Sequence, residues 1–349
     1  MNTRIAVAGA GYIGRDHIAS IATNPKLELA SIVDPSPAAR AVADEHHVTL
    51  YPDLSTMIAT DRPDGVVVAT PNPLHKDHAE TCIAAGLPLL LEKPVTDRLD
   101  TSEQLYRFAQ EHDATVLIGH HRVHSPIMRL AREVVDSGQL GDLVCVNGSA
   151  LFYKPDEYYE QAPWRKEKGS GPILLNMTHE IQNLRLLCGE ITNVEARTSN
   201  ATRGFEIEDT AALVLTFASG VLGTFLVSDT VASPRSWEQT SQENPQYTTY
   251  ETEDCYHLAG TMGSLSLPTM KIHSYARPED RSWWKPFEES TAELHRQDPV
   301  ALEDDHFGAV VRGEATPACT IRDGLMNMRV VEAIHESAAT GRAVDVPLS

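Results

Sequence analysis

The stretch Ile5-Ala6-Val7-Ala8-Gly9-Ala10-Gly11-Tyr12-Ile13-Gly14 decides how the rest of this 349-residue sequence is interpreted. Its apolar start predicts a buried β-strand, which breaks into glycines spaced G-x-G-x-x-G. In such a turn Gly9 makes the tight bend, Gly11 leaves room for a pyrophosphate, and Gly14 lets the next helix pack closely on the strand. That helix is expected to begin near Tyr12 and to point its N–H groups at a phosphate.

An acidic residue completes the pattern of a dinucleotide site. Glycine clusters also form ordinary turns, so the glycine triplet alone is weak evidence. Here a second strand-like run, Leu27 to Val33, leads directly into Asp34, 20 residues after Gly14. A carboxylate at that place accepts hydrogen bonds from ribose hydroxyls and repels a 2′-phosphate. The sequence therefore predicts NAD as cofactor, with NADP disfavoured.

Composition excludes several classes of partner. The length suggests two domains of about 150 residues each. The 29 Lys and Arg against 49 Asp and Glu give a net charge of −20, which argues against nucleic acid or an anionic membrane as partner. Five scattered cysteines without a C-x-x-C pair indicate unpaired thiols in a reducing cytoplasm. No run approaches the ~20 apolar residues of a membrane span, and glycines interrupt the first apolar run too early for a signal peptide.

The pattern of secondary structure changes near residue 124. Up to that point strand and helix patterns alternate, which predicts an α/β, doubly wound parallel sheet. Residues 1–124 are therefore predicted to form a Rossmann dinucleotide-binding domain. After Pro126, alternating β-rich runs predict an open, mostly antiparallel sheet of α+β type, with one face on a core. Residues 125–349 are predicted to form this second domain, which binds substrate and mediates oligomerisation.

Polar residues follow the ends of the predicted parallel strands. In an open parallel sheet, the C-terminal ends of all strands open on the same crevice, where ligands bind. Five segments are therefore expected to converge there: Gly9, Asp34, Thr70–Asn72, Glu92–Pro94 and Gly119–Arg122.

Two side chains are candidates for acid–base chemistry. Lys93 lies at the crevice mouth, where partial burial and a positive nicotinamide ring would lower its pKa and make it a proton carrier. A lysine at a strand end is otherwise a solvated surface charge. His179 lies on a predicted helix from about Asn176 to Cys188, where Asn176 and Asn183 share its face. For a histidine considered alone, a hydrogen-bonded structural role is favoured.

A metal site is a further alternative, and the spacing of the histidines argues against it. His120 and His121 are neighbours at a strand end, so their side chains point to opposite faces. His179-Glu180 lacks the second histidine of an H-E-x-x-H helix. The sequence predicts no metal.

The sequence resembles the Gfo/Idh/MocA family of nicotinamide-dependent oxidoreductases, essentially from end to end. The Glu-Lys-Pro motif is the most specific part of this resemblance. The segments that carry it are Gly9–Gly14, Thr70–Asn72 with His75, Glu92–Pro94, Gly119 with Arg122 and Pro126, Trp164–Arg165, Gly171–Gly189 around His179, and Ser337–Arg342. The resemblance implies a Rossmann domain followed by an open antiparallel-sheet domain, which pairs through that sheet into a homodimer or homotetramer.

The resemblance also implies roles for site residues. Lys93 and His179 would flank the reacting carbon of a sugar-like or cyclitol-like alcohol, which favours a functional His179. The implied cofactor contacts are Gly9, Gly11, Tyr12, Ile13, Gly14, Asp34, Thr70, Asn72, His75, Glu92 and Lys93. The implied substrate contacts are Lys93, Arg122, Tyr153, Trp164, Arg165, Asn176 and His179, with Asn72 and His75 at the same crevice rim.

One position departs from the family pattern. Leu175 stands four residues before His179, where relatives often carry an aspartate. Asn176 is the nearest polar residue, and an amide can orient a hydroxyl but cannot act as a base. The proton path would then depend on Lys93 and His179 alone.

The function predicted on these grounds is an NAD-dependent dehydrogenase acting on a secondary alcohol of a sugar, cyclitol or related polyol. An anionic substrate, such as a sugar acid or dihydrodiol acid bound by Arg122 and Arg165, is the alternative within enzymes. A non-catalytic NAD-binding regulator of the same fold is the alternative outside them. The presence of both Lys93 and His179 argues against the regulator.

Overall fold

The computed structural model describes residues 2–167 and 169–349, which separate into two compact units. Unit 1 contains the chain up to His124 together with Asp298–Met328, and unit 2 contains Ser125–Gln297 and Arg329–Ser349. The predicted second domain, residues 125–349, differs from unit 2 because residues 298–328 belong to unit 1.

The described chain contains fifteen strands and eleven α-helices. The strands are β1 Thr3–Ala8, β2 Leu27–Val33, β3 Thr49–Tyr51, β4 Gly65–Val68, β5 Leu89–Glu92, β6 Val116–Gly119, β7 Leu143–Leu151, β8 Ile191–Ser199, β9 Thr210–Phe217, β10 Leu222–Ser228, β11 Tyr256–Gly260, β12 Gly263–Leu267, β13 Lys271–Ser274, β14 Glu288–Thr291 and β15 Val344–Asp345. The helices are α1 Tyr12–Thr23, α2 Ala39–Glu45, α3 Leu54–Thr60, α4 His75–Ala84, α5 Leu99–Glu111, α6 Pro126–Asp136, α7 Asp156–Glu160, α8 Thr178–Cys188, α9 Trp237–Thr240, α10 Pro299–Val311 and α11 Ile321–Thr340.

Unit 1 is built on a six-stranded parallel sheet in the order β3-β2-β1-β4-β5-β6. Every neighbouring pair is parallel. This is the strand order of a doubly wound dinucleotide-binding sheet, as the sequence predicts. The central strands are continuous apolar runs such as Val66–Val68 and Leu89–Leu91, because helices cover both faces of the sheet.

Helix α10 explains why a late segment belongs to unit 1. Phe307 is buried within the apolar core that the six-stranded sheet organises. On the same helix, Gly308 lies so close to Leu27 that an added Cβ would overlap that side chain. This contact joins residues far apart in sequence, so no local pattern near residue 300 could assign the segment to the first domain.

Unit 2 is built on a nine-stranded sheet in the order β14-β13-β12-β11-β7-β10-β9-β8-β15. The β7–β10 pair is parallel and the other seven pairs are antiparallel, so the predicted mostly antiparallel sheet is confirmed. Burial alternates along β9 and β10, with Leu213, Leu215 and Phe225 inside and Val214 outside. One face of this part of the sheet therefore packs on the core while the other is exposed. None of the helices in the described residues combines the length and apolar character that crossing a membrane demands.

Candidate functional site: a dinucleotide turn and two sets of polar side chains

The glycine-rich turn after β1 has the geometry that its spacing predicts. Gly9 has a φ of +97°, which a residue with a Cβ rarely adopts. A Cβ on Gly14 would overlap the carbonyl oxygen of Gly9, whereas one on Gly11 would meet no atom within 4 Å. The space at Gly11 suits a pyrophosphate close to the backbone.

Helix α1 begins at Tyr12, directly after this turn, as predicted. Gly11 is its N-cap, and among the described residues no side chain caps this end and no acidic residue lies in its first turn. A helix N-terminus of this kind attracts an anionic phosphate through its backbone N–H groups and its dipole. Tyr12 is 63% exposed beside it.

The carboxylate of Asp34 is fixed at the end of β2. Its Oδ2 accepts a hydrogen bond from the Ala10 backbone N–H at 2.8 Å, and its Oδ1 accepts one from the Ser36 N–H at 2.7 Å. Partial burial opposes ionisation, but the hydrogen bonds from Ser36 and Ala10 outweigh it and lower the pKa of Asp34. Asp34 is therefore an ionised acceptor beside the glycine-rich turn.

The ends of the parallel strands converge as the sequence predicts. Ala8 lies opposite both Val33 and Val68, and Glu92 lies opposite Gly119. The segments that follow these strands therefore lie along one edge of the sheet.

His75 connects two of these segments. Its Nε2 lies 2.8 Å from the carbonyl oxygen of Thr70, and its Nδ1 lies 2.8 Å from that of Pro94. Burial lowers its pKa, and a neutral imidazole carries a single N–H, so it donates to one carbonyl at a time. These contacts hold the Thr70 and Pro94 segments together. Direct contact of His75, Thr70 or Asn72 with a cofactor stays a prediction.

Glu92 belongs to a buried cluster with His17 and Asp304. Its Oε1 lies 3.2 Å from His17 Nε2, and its Oε2 accepts a hydrogen bond from the Lys93 backbone N–H at 3.1 Å. The other ring nitrogen of His17 lies 2.8 Å from Asp304 Oδ1. Burial disfavours a charged imidazole, but Asp304 and Glu92 outweigh it and raise the pKa of His17 well above its ordinary value. The cluster therefore holds the backbone of Lys93 in place through Glu92.

Glu303 is the fourth member of this cluster. Its carboxyl group is fully buried, and burial together with the negative charges of Glu92 and Asp304 raises its pKa well above the ordinary value. Ligand atoms of His17, Glu92 and Glu303 lie within 4.8 Å of one another, a spacing that a metal ion can bridge. The pKa shifts favour a protonated His17 and a neutral Glu303.

Lys93 lies at the strand edge with a polar neighbourhood. Desolvation, followed by the positive charges of Arg122 and Lys93, lowers the pKa of His121 well below its ordinary value. His121 is therefore a neutral imidazole near Lys93, within the Gly119–Arg122 segment that the sequence predicts at this edge. Arg122 is 3% exposed, a burial that suits a structural residue, and its contact with substrate stays a prediction.

In unit 2 the segment before α8 differs from the predicted helix. Residues Ile173–Met177 form a π-helical turn, and α8 begins only at Thr178. The predicted helix from about Asn176 therefore begins two residues later, and Asn176 lies in the π turn directly before α8. His179 itself is on α8 and is 7% exposed, while Asn176 is partly exposed.

The predicted aromatic and cationic contacts of unit 2 lie near the start of α7 and beyond it. Arg165 stacks on the ring of Tyr158, with its guanidinium carbon 3.8 Å from the ring centre, and donates a hydrogen bond to the Tyr158 carbonyl oxygen. Tyr153 and Trp164 are both exposed by more than half. Exposed aromatic faces suit stacking on a sugar ring, and these contacts stay predictions.

Lys154, which no sequence motif singles out, contacts a predicted site residue. Its Nζ donates a hydrogen bond to Asn176 Oδ1 at 2.8 Å and lies 3.6 Å from Asp229 Oδ2. Burial lowers the pKa of Lys154, and the carboxylate of Asp229 partly offsets this. Its nearest signal in the sequence is its position shortly after the β-rich run that forms β7, a position that surface lysines also occupy.

The fold and the turn together define an oxidoreductase with an NAD-binding Rossmann domain. Residues 3–120 match the family model described as "Oxidoreductase family, NAD-binding Rossmann fold", and residues 128–266 match the GFO/IDH/MocA C-terminal domain. The chain belongs to the Gfo/Idh/MocA family.

Two curated proteins and one solved structure illustrate the likeness. The rhizopine catabolism protein MocA of Rhizobium meliloti is 30% identical over 200 residues, which cover 57% of this chain and 62% of that protein. The inositol 2-dehydrogenase of Rhizobium meliloti strain 1021 is 23% identical over 350 residues, covering 99% of this chain and 100% of that protein. The WlbA dehydrogenase of Bordetella pertussis, solved with NADH and UDP-GlcNAcA, superimposes with a TM-score of 0.79 at 23% identity and covers 100% of both chains. At that identity the structural likeness shows the fold alone.

Proposed function

We propose that this protein is an NAD-dependent dehydrogenase that moves a hydride between nicotinamide and a secondary alcohol or ketone of a sugar, cyclitol or related polyol. The proposal follows from the family, from the inositol 2-dehydrogenase likeness and from one observation in unit 1. That observation is the common sheet edge that carries the open glycine turn, the ionised Asp34 and Lys93. It supports a cofactor whose ribose and pyrophosphate lie at one end of the edge and whose reactive ring lies towards Lys93.

The residues of this edge suit NAD. The room at Gly11 and the start of helix α1 would take the pyrophosphate, and Asp34 would accept hydrogen bonds from the ribose hydroxyls. Bound there, NAD supplies the hydride acceptor. The chain itself supplies binding, orientation and proton transfer.

We assign the proton transfer to Lys93 and His179. Oxidation of an alcohol requires that the hydroxyl proton leaves as the hydride is transferred, and an amine or imidazole positioned by buried contacts can accept it. The backbone of Lys93 is tied to Glu92, and Glu92 is tied to His17. Asn176, Tyr153, Trp164, Arg165 and Arg122 are proposed as substrate contacts.

The exposed face of the nine-stranded sheet supports self-association. Val214, Leu222 and Leu226 expose apolar side chains on the outer face of β9 and β10. Apolar patches of this kind mark contacts between subunits, and we propose a homodimer or homotetramer through this face. The five cysteines form no disulfide bond among the described residues, which supports a cytoplasmic location.

A dehydrogenase screen tests the function. The purified protein with NAD is incubated with myo-inositol, D-glucose, D-xylose, D-glucuronate or a cis-dihydrodiol, and NADH formation is followed by absorbance. Turnover of a neutral polyol is the expected result. Preference for glucuronate would favour the anionic-substrate alternative. Cofactor binding without turnover of any alcohol or of the matching ketones would favour a regulator and contradict the proposal.

A further inference from the structure

We propose that Lys154 is a positioning residue of the active site, which fixes the side-chain amide of Asn176 so that its N–H₂ group is presented to the substrate oxygen. The inference rests on the proposed dehydrogenase function. It gives a role to a residue that neither the motifs nor the family resemblance single out.

Lys154 is held from several sides within unit 2. Its backbone N–H donates to the Asp229 carbonyl oxygen at 2.9 Å, and its own carbonyl oxygen accepts a hydrogen bond from Arg203 Nη2 at 2.7 Å. Its ammonium lies 5.1 Å from the ring centre of Tyr158 and 5.7 Å from that of Phe152. The side chain is 13% exposed, so few other rotamers are open to it.

Asp229 attracts the Lys154 ammonium, but the hydrogen bonds of its carboxylate go to other residues. The carboxylate accepts a hydrogen bond from Tyr159 at 2.6 Å and one from Arg203 Nε at 3.1 Å. Lys154 is 3.6 Å from it, an ion pair rather than a hydrogen bond. The shortest polar contact of the Lys154 ammonium is the one with Asn176, at 2.8 Å.

The chemistry of the two groups determines which way the amide faces. An ammonium has three donors and no acceptor, so its partner on Asn176 must be the oxygen rather than the nitrogen. The Asn176 Nδ2 group then forms the other end of the amide. None of the described residues accepts a hydrogen bond from it, and Asn176 is partly exposed.

This orientation changes what the position can do. An aspartate near His179, which Leu175 replaces here, would accept a hydrogen bond from a substrate hydroxyl. Asn176 held by Lys154 donates one instead, and a donor stabilises an oxygen that gains negative charge or becomes a carbonyl. Asn176, oriented by Lys154, would thus donate a hydrogen bond to the reacting oxygen, and proton removal falls to another group.

A double-mutant cycle tests the coupling, with the panel compound that gives the highest turnover as substrate. If Lys154 acts through Asn176, Lys154→Met should lower kcat by about tenfold with little change in KM, and should have almost no further effect in an Asn176→Ala background. Lys154→Arg keeps the charge near Asp229 and should recover part of the rate. Lys285→Met is the matched control, because Lys285 also donates to a side-chain oxygen, at 2.7 Å to Asp280. Equal effects of Lys154→Met with and without Asn176 would overturn the proposal.

A second measurement separates this proposal from the function on which it rests. In protein labelled with ¹⁵N in asparagine side chains, the Asn176 amide resonance should shift and broaden in Lys154→Met and stay unchanged in Lys285→Met. If Lys154→Met does not fold, Lys154→Arg is used instead. The Asn176 resonance of Lys154→Arg should shift less than the resonance of a freely rotating amide would. If the Asn176 resonance responds to Lys154→Met in a protein that turns over none of the compounds, the proposed function is wrong and the positioning role stands. If the Asn176 resonance does not change in Lys154→Met, the positioning role is wrong and the proposed function stands.

Discussion

Asp34 accepts a hydrogen bond from the backbone N–H of Ala10, which lies between the first two glycines of the G-x-G-x-x-G turn. The two residues belong to neighbouring strand ends, so the carboxylate proposed to bind the ribose hydroxyls is fixed directly to the turn proposed to receive the pyrophosphate. Two backbone hydrogen bonds hold this carboxylate, so a 2′-phosphate would meet a negative charge there.

We expect NAD to be preferred to NADP by at least about tenfold in kcat/KM, or ~1.4 kcal/mol, because a 2′-phosphate would meet the ionised Asp34. Asp34→Ser should narrow this ratio, measured by steady-state kinetics with both cofactors. Asp53→Ser is the control, since Asp53 also accepts a backbone N–H, from Thr56 at 2.7 Å, but caps helix α3. A wild-type enzyme that uses both cofactors equally would contradict the assignment.

The glycine-rich turn and the strand ends of unit 1 could be predicted because the sequence patterns that specify them are local. Steric demands at Gly9 and Gly14 act over a few residues, and continuous apolar runs such as Val66–Val68 reveal strands covered on both faces. The strand ends then converge because parallel strands share one C-terminal edge. From these few facts the position of Asp34 and Lys93 follows.

The buried cluster could not be predicted, because its partners meet only in the folded chain. His17 and Asp304 are 287 residues apart, and neither stands in a motif. Lys154 and Asn176 likewise come together only through the fold of unit 2. The π turn at Ile173–Met177 was missed for a different reason, since its apolar residues also suit an α-helix.

Lys93→Ala should lower turnover by about 10²-fold or more, through loss of proton transfer and of substrate orientation. The melting temperature should stay nearly unchanged, because Glu92 holds the backbone rather than the side chain at this position. Kinetics and thermal unfolding are measured on the same preparation. Lys26→Ala removes a surface lysine paired with Asp305 and should change neither quantity much. A Lys93→Ala enzyme with near-normal kcat would exclude Lys93 from proton transfer.

His179→Asn should keep cofactor binding while losing most of kcat, because the proposed cofactor residues lie in unit 1 and an amide cannot take up a proton. NADH binding is followed by fluorescence and turnover by absorbance. If His179 carries the acid–base step, the pH dependence of the remaining rate should also change. His257→Asn, at a histidine whose Nδ1 lies 3.0 Å from Ser266 Oγ, serves as the control. A rate and pH profile equal to wild type would make His179 structural and leave Lys93 as the base.

Glu303→Gln should be more stable than wild type, and this difference in stability should grow as pH rises. The folded state raises the pKa of Glu303, so its carboxyl stays protonated when the unfolded chain has already ionised. The stabilisation that wild type gains from this proton is complete below the unfolded pKa and is lost as pH rises towards the folded one. Glutamine keeps the neutral form, so the gain in melting temperature should be larger at about pH 8 than at about pH 5.

The matched control for this experiment is Glu314→Gln. The hydrogen bond from Arg312 lowers the pKa of Glu314, so its contribution is present at neutral pH and is lost on acidification, the opposite sign. A difference between Glu303→Gln and wild type that does not vary with pH would show that Glu303 ionises normally in the folded protein.

Val214→Glu should dissociate the oligomer. Val214 is 51% exposed on β9, opposite Thr224 of β10, which lies between the exposed Leu222 and Leu226. A carboxylate at this position lies directly opposite Glu195 of β8, so a subunit contact would bury it beside a like charge, at a cost of several kcal/mol. Light scattering coupled to size exclusion should show a smaller species, with the fold kept because the side chain points away from the core of its own subunit. Trp284→Glu is the control, since Trp284 is 82% exposed in the segment between β13 and β14. If Trp284→Glu dissociates the oligomer and Val214→Glu does not, the subunit contact lies in the segment between β13 and β14 rather than on the sheet face.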